Sequence, residues 1–153
     1  MKKETSGIKI IAKNKKAFFE YHLEDKLEAG ISLTGSEVKS LRDGQASLAD
    51  AYGLIKGGEA FLLHAHIAQY PPSSIFNHEP RRQRKLLLHK KEILKLESKL
   101  SQKGLTLVPT MMYFKSGRVK LELALAKGKK QYDKREAIKK RETDRDIARR
   151  FRK

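Results

Sequence analysis

The sequence predicts a mainly β protein: a small antiparallel barrel with short flanking helices and a basic, intrinsically flexible C-terminal tail. Three observations carry this expectation. Between residues 8 and 126, short β-like runs alternate with Gly- or Pro-marked turns. No strand–helix–strand unit repeats, which disfavours a parallel sheet. The last 27 residues, Lys127 to Lys153, carry 13 basic side chains against five acidic ones, a net +8 within the chain's +17. The larger apolar side chains of that segment are only Tyr132, Ile138, Ile147 and Phe151. Such a segment buries too little surface to offset the entropy of ordering it. Residues 1–126 are therefore read as the barrel domain, and 127–153 as a tail that stays disordered until a partner neutralises it.

The elements follow in chain order. Ala17 to Leu23 is an early strand candidate, and Ala29 to Leu33 a second. Ser36 to Asp43 reads as a short helix, with Ser36 as its cap, Val38 and Leu41 on one face and Gly44 at the exit. Tyr52 to Lys56 and Ala60 to Ile67 flank Gly57-Gly58, a hairpin signal. Pro71-Pro72 opens a loop that runs through the Arg81–Lys85 cluster. An amphipathic helix follows over Lys90 to Lys103, with Ile93, Leu96 and Leu100 as its stripe and Gly104 as its stop. Leu105–Val108 and Met111–Phe114 are strands around Pro109. Val119 to Leu125 alternates strictly, with Val119, Leu121, Leu123 and Leu125 on one side. About six short strands and two helices suggest an OB-like barrel, an architecture that often binds oligonucleotides.

Charge and composition narrow the function. The body is basic as well as the tail, and the chain's pI of about 10.1 fits a nucleic-acid binder. No apolar run approaches a membrane span of roughly 20 residues. Met1-Lys2-Lys3-Glu4 lacks the apolar stretch of a signal peptide, so a cytoplasmic location is expected. Without cysteine, disulfides, zinc fingers and thiol catalysis are excluded. His64 and His66, two apart on an expected strand, could share a metal, but no third ligand has convincing spacing. A small metal-dependent nuclease is thus one rival reading, and a generic OB-like ribosomal or single-strand RNA-binding protein is another. Lys13-Asn14-Lys15-Lys16, Arg81–Lys85 and Lys129-Lys130 supply phosphate-neutralising charge, which positions RNA without specifying sequence.

The segment Leu33-Thr34-Gly35-Ser36-Glu37-Val38-Lys39-Ser40-Leu41-Arg42 goes further than charge. With Asn14-Lys15, Glu28-Ala29-Gly30, Phe76-Asn77-His78, Arg84–Lys90, Leu107-Val108-Pro109, Ala126–Lys130 and Asp133-Lys134-Arg135, it resembles the small protein B family. These are the bacterial SsrA-binding proteins. The resemblance covers nearly the whole chain. It implies an OB-like barrel, binding to the tRNA-like domain of transfer-messenger RNA, and a part in trans-translation, the rescue of ribosomes stalled on mRNA lacking a stop codon. It also implies that the tail occupies the small-subunit decoding centre and the empty mRNA channel, becoming helical there. On the matching positions, Asn14, Lys15, Glu28, Glu37, Lys39, Arg42, Lys85 and His89 are candidates for the RNA face. Gly128, Lys129, Lys130, Tyr132, Asp133, Lys134 and Arg135 are candidates for ribosomal contact. Glu37 and Lys39 are expected on a capped surface helix. Two departures stand out: Phe18-Phe19 replace a common Arg-His pair, and Tyr132 replaces a common histidine. No cofactor, no enzymatic activity, no membrane partner and a monomer are expected.

Overall fold

The computed structural model describes residues 7–102, 104–129, 135 and 138–145. Its centre is a closed antiparallel barrel. Strands β8 (Leu105–Lys115) and β9 (Arg118–Gly128) form the longest hairpin, turning at Ser116 and Gly117. β9 also pairs with β2 (Tyr21–Ile31), and β2 with β7 (Arg84–Leu87). β7 pairs with β5 (Glu59–Leu63), β5 with β4 (Tyr52–Lys56), and β4 returns to β8 through Gly53 opposite Leu107. The ring is closed by these six strands. β1 (Ile8–Lys13) lies outside it, added to the far edge of β8. β3 (Ala46–Ser47) and β6 (His66–Ile67) make a separate two-stranded ladder.

Alternation fills the interior. Leu121, Leu123 and Leu125 of β9 meet Leu62, Leu86, Leu107 and Met112 in one buried cluster. α3 (Lys90–Leu100) turns Ile93 and Leu96 into the same core, as its stripe predicts. β9 is buried on both sides near its end, because Ala126 packs with Ala17 and Val108 in a second small cluster.

Several elements differ from the sequence expectation. Ala17 does not begin a strand; α1 (Lys15–Glu20) occupies that place, and the chain becomes extended only at Tyr21. Asn14 is the cause. Its side-chain oxygen accepts from the Ala17 N–H at 3.1 Å, and its amide donates to Pro109 O at 2.9 Å. Cap and anchor together turn a short run of ambiguous period into helix. The two expected strands 17–23 and 29–33 are then one long strand, β2, bent where Asp25 takes φ +50° and the register shifts. The strand pair around Pro109 is likewise one strand, β8, with a register shift between Pro109 and Met111. The basic run 81–85 is only partly loop, since Arg84 and Lys85 begin β7. The 60–67 strand breaks at His64, which has φ +62°, so His64 and His66 do not share one strand face.

The Gly57-Gly58 hairpin forms as expected, with φ values of +60° and +77° that suit glycine. β9 runs two residues past the expected tail boundary, pairing Lys127 with His22 and Gly128 with Tyr21. The Lys129 N–H then donates to Glu20 O at 2.9 Å. Beyond it, residues 138–145 are helical and exposed, and the Arg141 guanidinium sits 5.6 Å from the Phe19 ring centre. Among the described residues, no helix is long and apolar enough to cross a membrane.

Barrel closure depends on one close approach. A Cβ on Gly53 would lie 2.5 Å from Leu107 Cδ2 and 2.8 Å from its Cγ, and Leu107 is fully buried. Gly53→Ala should therefore destabilise the fold by about 1–3 kcal/mol through overpacking. Urea unfolding of both proteins measures this, and an unchanged midpoint would show that the β4–β8 contact relaxes freely.

Candidate nucleic-acid interface

Three of the predicted residues come together on the outer face of the barrel. Glu28 of β2, Lys85 of β7 and His89 before α3 line one groove of about 600 Å³. Leu87 and Lys120 line it too. Residues directly opposite in a ladder share a face, and Lys120 lies opposite Gly30, which lies opposite Leu87. Gly30 matters here: a Cβ in its place would approach the Leu87 Cβ to 3.2 Å. The missing side chain lets Leu87 lean over β2 and shapes the groove floor.

Glu28 is held in place rather than left free. It accepts from the Tyr113 hydroxyl at 2.5 Å and from Lys115 Nζ at 3.3 Å. The Tyr113 bond, with help from Lys115 and Lys120 and against a burial effect, keeps the Glu28 carboxyl below the usual carboxylate range. Burial and the same carboxylate push the Tyr113 hydroxyl up. Glu28 is therefore an ionised acceptor of fixed orientation at neutral pH, suited to base or ribose donors and not to phosphate. Lys85 pairs with Glu59 at 2.6 Å across an exposed surface. The backbone N–H of His89 donates to Glu92, whose carboxylate closes the first turn of α3.

The other candidates are elsewhere. Lys15 is exposed on α1, beside the buried Asn14. Asn14 is engaged by the cap and by Pro109, so it holds the fold around α1 rather than offering a free amide to RNA. Lys39 and Arg42 are exposed in the last turn of α2 (Gly35–Arg42), where cations favour the helix dipole. The Lys39 ammonium also lies 5.8 Å from the Tyr70 ring centre.

Glu37 requires a correction. α2 does lie at the surface through Lys39 and Arg42, but Glu37 turns inward from it, and its side chain is 0% exposed. Thr34, not Ser36, caps α2, and the Thr34 N–H donates to Glu37 Oε1 at 2.8 Å. Arg82 donates to both carboxylate oxygens, at 2.6 and 3.0 Å, and Arg84 Nε to Oε2 at 2.6 Å. These donors occupy all four acceptor positions of the carboxylate. Arg84 is itself fully buried, and its remaining N–H groups reach the carbonyls of Ala65, Arg82 and Pro80. Burial resists ionisation of Glu37, but Arg82, the Thr34 N–H and Arg84 together hold its carboxyl below the usual range. Two arginines of the basic 81–85 cluster are thus engaged in the fold. The Asn77-His78 motif is structural in the same way. His78 Nε2 donates to Ile67 O and Nδ1 accepts from the Ser36 hydroxyl, each at 2.8 Å, while Asn77 bonds the backbone of Tyr70 twice.

In the tail, Gly128 ends β9, and Lys129 Nζ donates to Phe18 O at 3.3 Å. Arg135 is helical and exposed. Lys130, Tyr132, Asp133 and Lys134 lie outside the described residues. Sequence reasoning missed Leu87, Lys120 and Tyr113 as partners of the groove. Only the outward phase of alternation in β7 and β9 marks the first two in advance.

A closed antiparallel barrel whose outer sheet carries a groove of mixed charge, with Lys85, Lys120 and His89 beside three carboxylates and an exposed leucine, belongs to the class of small β-barrels that often bind oligonucleotides. Comparison with known proteins gives the family. The model of the SmpB protein family matches residues 11–153. The SsrA-binding protein of Acidothermus cellulolyticus is 60% identical over 144 residues, covering 94% of this chain and 91% of the relative. That of a Sulfurihydrogenibium species is 56% identical over 143 residues, covering 94% of each. A solved chain from the study "tmRNA-SmpB: a journey to the center of the bacterial ribosome" superposes with a TM-score of 0.67 at 44% identity, covering 82% of this chain and 92% of that one. The chain belongs to the SmpB family.

The buried charge cluster makes a stability prediction. Glu37→Gln leaves Arg84 buried without a counter-charge and should destabilise the fold by about 3–5 kcal/mol in denaturant unfolding at neutral pH. The folded-state pKa of Glu37 is depressed, so its contribution is full above the ordinary carboxylate range and is lost as pH falls through the folded-state value. The gap between the two proteins should therefore narrow on acidification. A gap that is constant with pH would mean that the charge of Glu37 is not what stabilises.

Proposed function

We infer that this chain is an RNA-binding adaptor of trans-translation. It binds the tRNA-like domain of transfer-messenger RNA and delivers it to ribosomes stalled on non-stop mRNA. The observation that carries this reading is the family match over residues 11–153, which spans both barrel and tail. The groove of Glu28, Lys85, Leu87, His89 and Lys120 fits the RNA face. It joins two lysines, one of them paired with Glu59, and a fixed carboxylate acceptor to an exposed apolar side chain, with Glu59 and Glu92 also in its lining. Lys15, Lys39 and Arg42 add phosphate contacts from α1 and α2. Glu37 and Asn14 act through the fold.

The tail, from Lys130 onward, is the ribosomal arm. The described helical residues of the tail are all exposed, and a helix that buries no apolar face is marginal in water, so it becomes stable only where a polyanion surrounds it. The decoding region and the empty mRNA channel supply that surrounding. A tail that folds only there reports that the channel lacks mRNA. The protein acts as a cytoplasmic, non-enzymatic monomer.

A titration at several salt concentrations separates this reading from generic RNA binding. Transfer-messenger RNA should be preferred over an elongator tRNA and an unrelated RNA of equal length, and the preference should survive added salt. Equal affinities that collapse together would mean phosphate binding alone. Truncation after Lys129 keeps β9 whole, so it should leave RNA affinity within about threefold while abolishing tagging of stalled products. Persistent tagging would reduce the tail to an electrostatic accessory.

A further inference from the structure

The outer face of the sheet does not end at the groove. Ile10 of β1 lies opposite Tyr113 of β8, and Tyr113 lies opposite Lys120 of β9. Lys120 leads on through Gly30 to Leu87. One row of residues therefore crosses five strands on one face. Ile8 opens the neighbouring row, opposite Lys115, which lies opposite Arg118. Ile8 and Ile10 are 46% and 48% exposed, and Leu87 at the other end is 53% exposed.

This exposure follows from topology. β1 sits outside the closed ring and pairs in its sheet only with β8. Among the described residues its outward side chains have no further layer to pack on. Period two puts Ile8 and Ile10 on the same side as Lys115, Arg118 and Lys120, and turns Lys9 to the other. An apolar pair bordered by cations, continuous with the groove, suits a ligand with apolar faces on a polyanionic backbone. Unpaired RNA has that chemistry: base faces and riboses between phosphates.

We propose that Ile8 and Ile10 extend the RNA-binding face onto β1, where they pack against an unstacked base or ribose of the RNA held by the groove. The proposal rests on the RNA-binding reading of that groove. Lys115, already paired with Glu28, lies beside Ile8, and Arg118 and Lys120, one strand further on β9, neutralise the flanking phosphates. The isoleucines add affinity that does not depend on salt, because burying them releases no counterions.

The test uses the full chain and the tRNA-like domain of transfer-messenger RNA, titrated across salt. Ile8→Ser with Ile10→Ser should weaken binding about tenfold, from the apolar area left unburied, with the salt slope unchanged. Leucine at both positions should bind like the parent. Should the double serine variant unfold, Ile8→Ser alone at the strand's first residue should lose about threefold. Lys120→Ala is the control for the groove and should lower both affinity and salt slope, the slope by about one. Parent-like binding by the serine variants, with Lys120→Ala impaired, overturns the β1 extension and leaves the groove standing. Parent-like binding by all variants overturns both. Serine variants that bind RNA normally but fail on the ribosome would assign the isoleucines to another surface, and would also overturn it.

Discussion

The buried carboxylate of Glu37 is the point on which the rest of the molecule turns. It sits at the start of α2 and gathers Arg82 and Arg84 from the entry to β7, 45 and 47 residues away. Arg84 carries the grip onward to the carbonyls of Ala65 and Pro80, and Arg82 to Ser32. One ion cluster thus fixes a helix, the end of a strand and the connection between β6 and β7. Burying such charges is expensive in desolvation and is tolerable only when every donor and acceptor is matched. Here the carboxylate is saturated, and Arg84 finds three carbonyls. The arrangement specifies one geometry, because any shift of α2 leaves a buried charge unpaired.

That geometry is what places the outer face. β7 enters the barrel at Arg84, and its alternation sends Arg84 and Leu86 inward and Lys85 and Leu87 outward. A slip of one residue would turn Lys85 into the core and Arg84 into water. The cluster prevents this slip, since only Arg84 in the inward phase reaches Glu37. The groove and the core are two sides of one register, and the register is pinned by a polar contact rather than an apolar one.

This also explains what was legible in the sequence. The β9 alternation, the Gly57-Gly58 hairpin and the α3 stripe depend on near neighbours, and all three formed where the pattern put them. α1 was not legible, because its six residues end within two turns and its cap is anchored at Pro109, 95 residues away. Glu37 was misread for a related reason. A glutamate beside Lys39 and Arg42 on a short helix has the composition of a solvated surface, and nothing local announces two arginines from the distant entry to β7. For the interface, family motifs pointed to Glu28, Lys85 and His89, which do share one groove. The same motifs also included Asn14 and Glu37, whose side chains are buried. A motif marks where side chains matter and does not say whether they touch the partner or hold the scaffold.

The aromatic pair Phe18-Phe19 can be placed on the same footing. Phe18 and Phe19 lie on α1, and both are in contact with residues of the tail. Lys26 lies over the Phe18 ring and Arg141 over the Phe19 ring, at 5.4 and 5.6 Å. Lys129 Nζ donates to the Phe18 carbonyl. An arginine here would repel these cations, whereas the two ring faces attract Lys26 and Arg141. The aromatic pair therefore changes the electrostatics of the tail's root as well as the chemistry of α1. Each such contact is worth only about 0.5–1 kcal/mol at an exposed site, a bias small enough for a polyanion to overcome. The root of the tail is fixed by β9, and among the described residues beyond it the contact of Arg141 with Phe19 is of this weak kind, which suits an arm that reaches a partner away from the body.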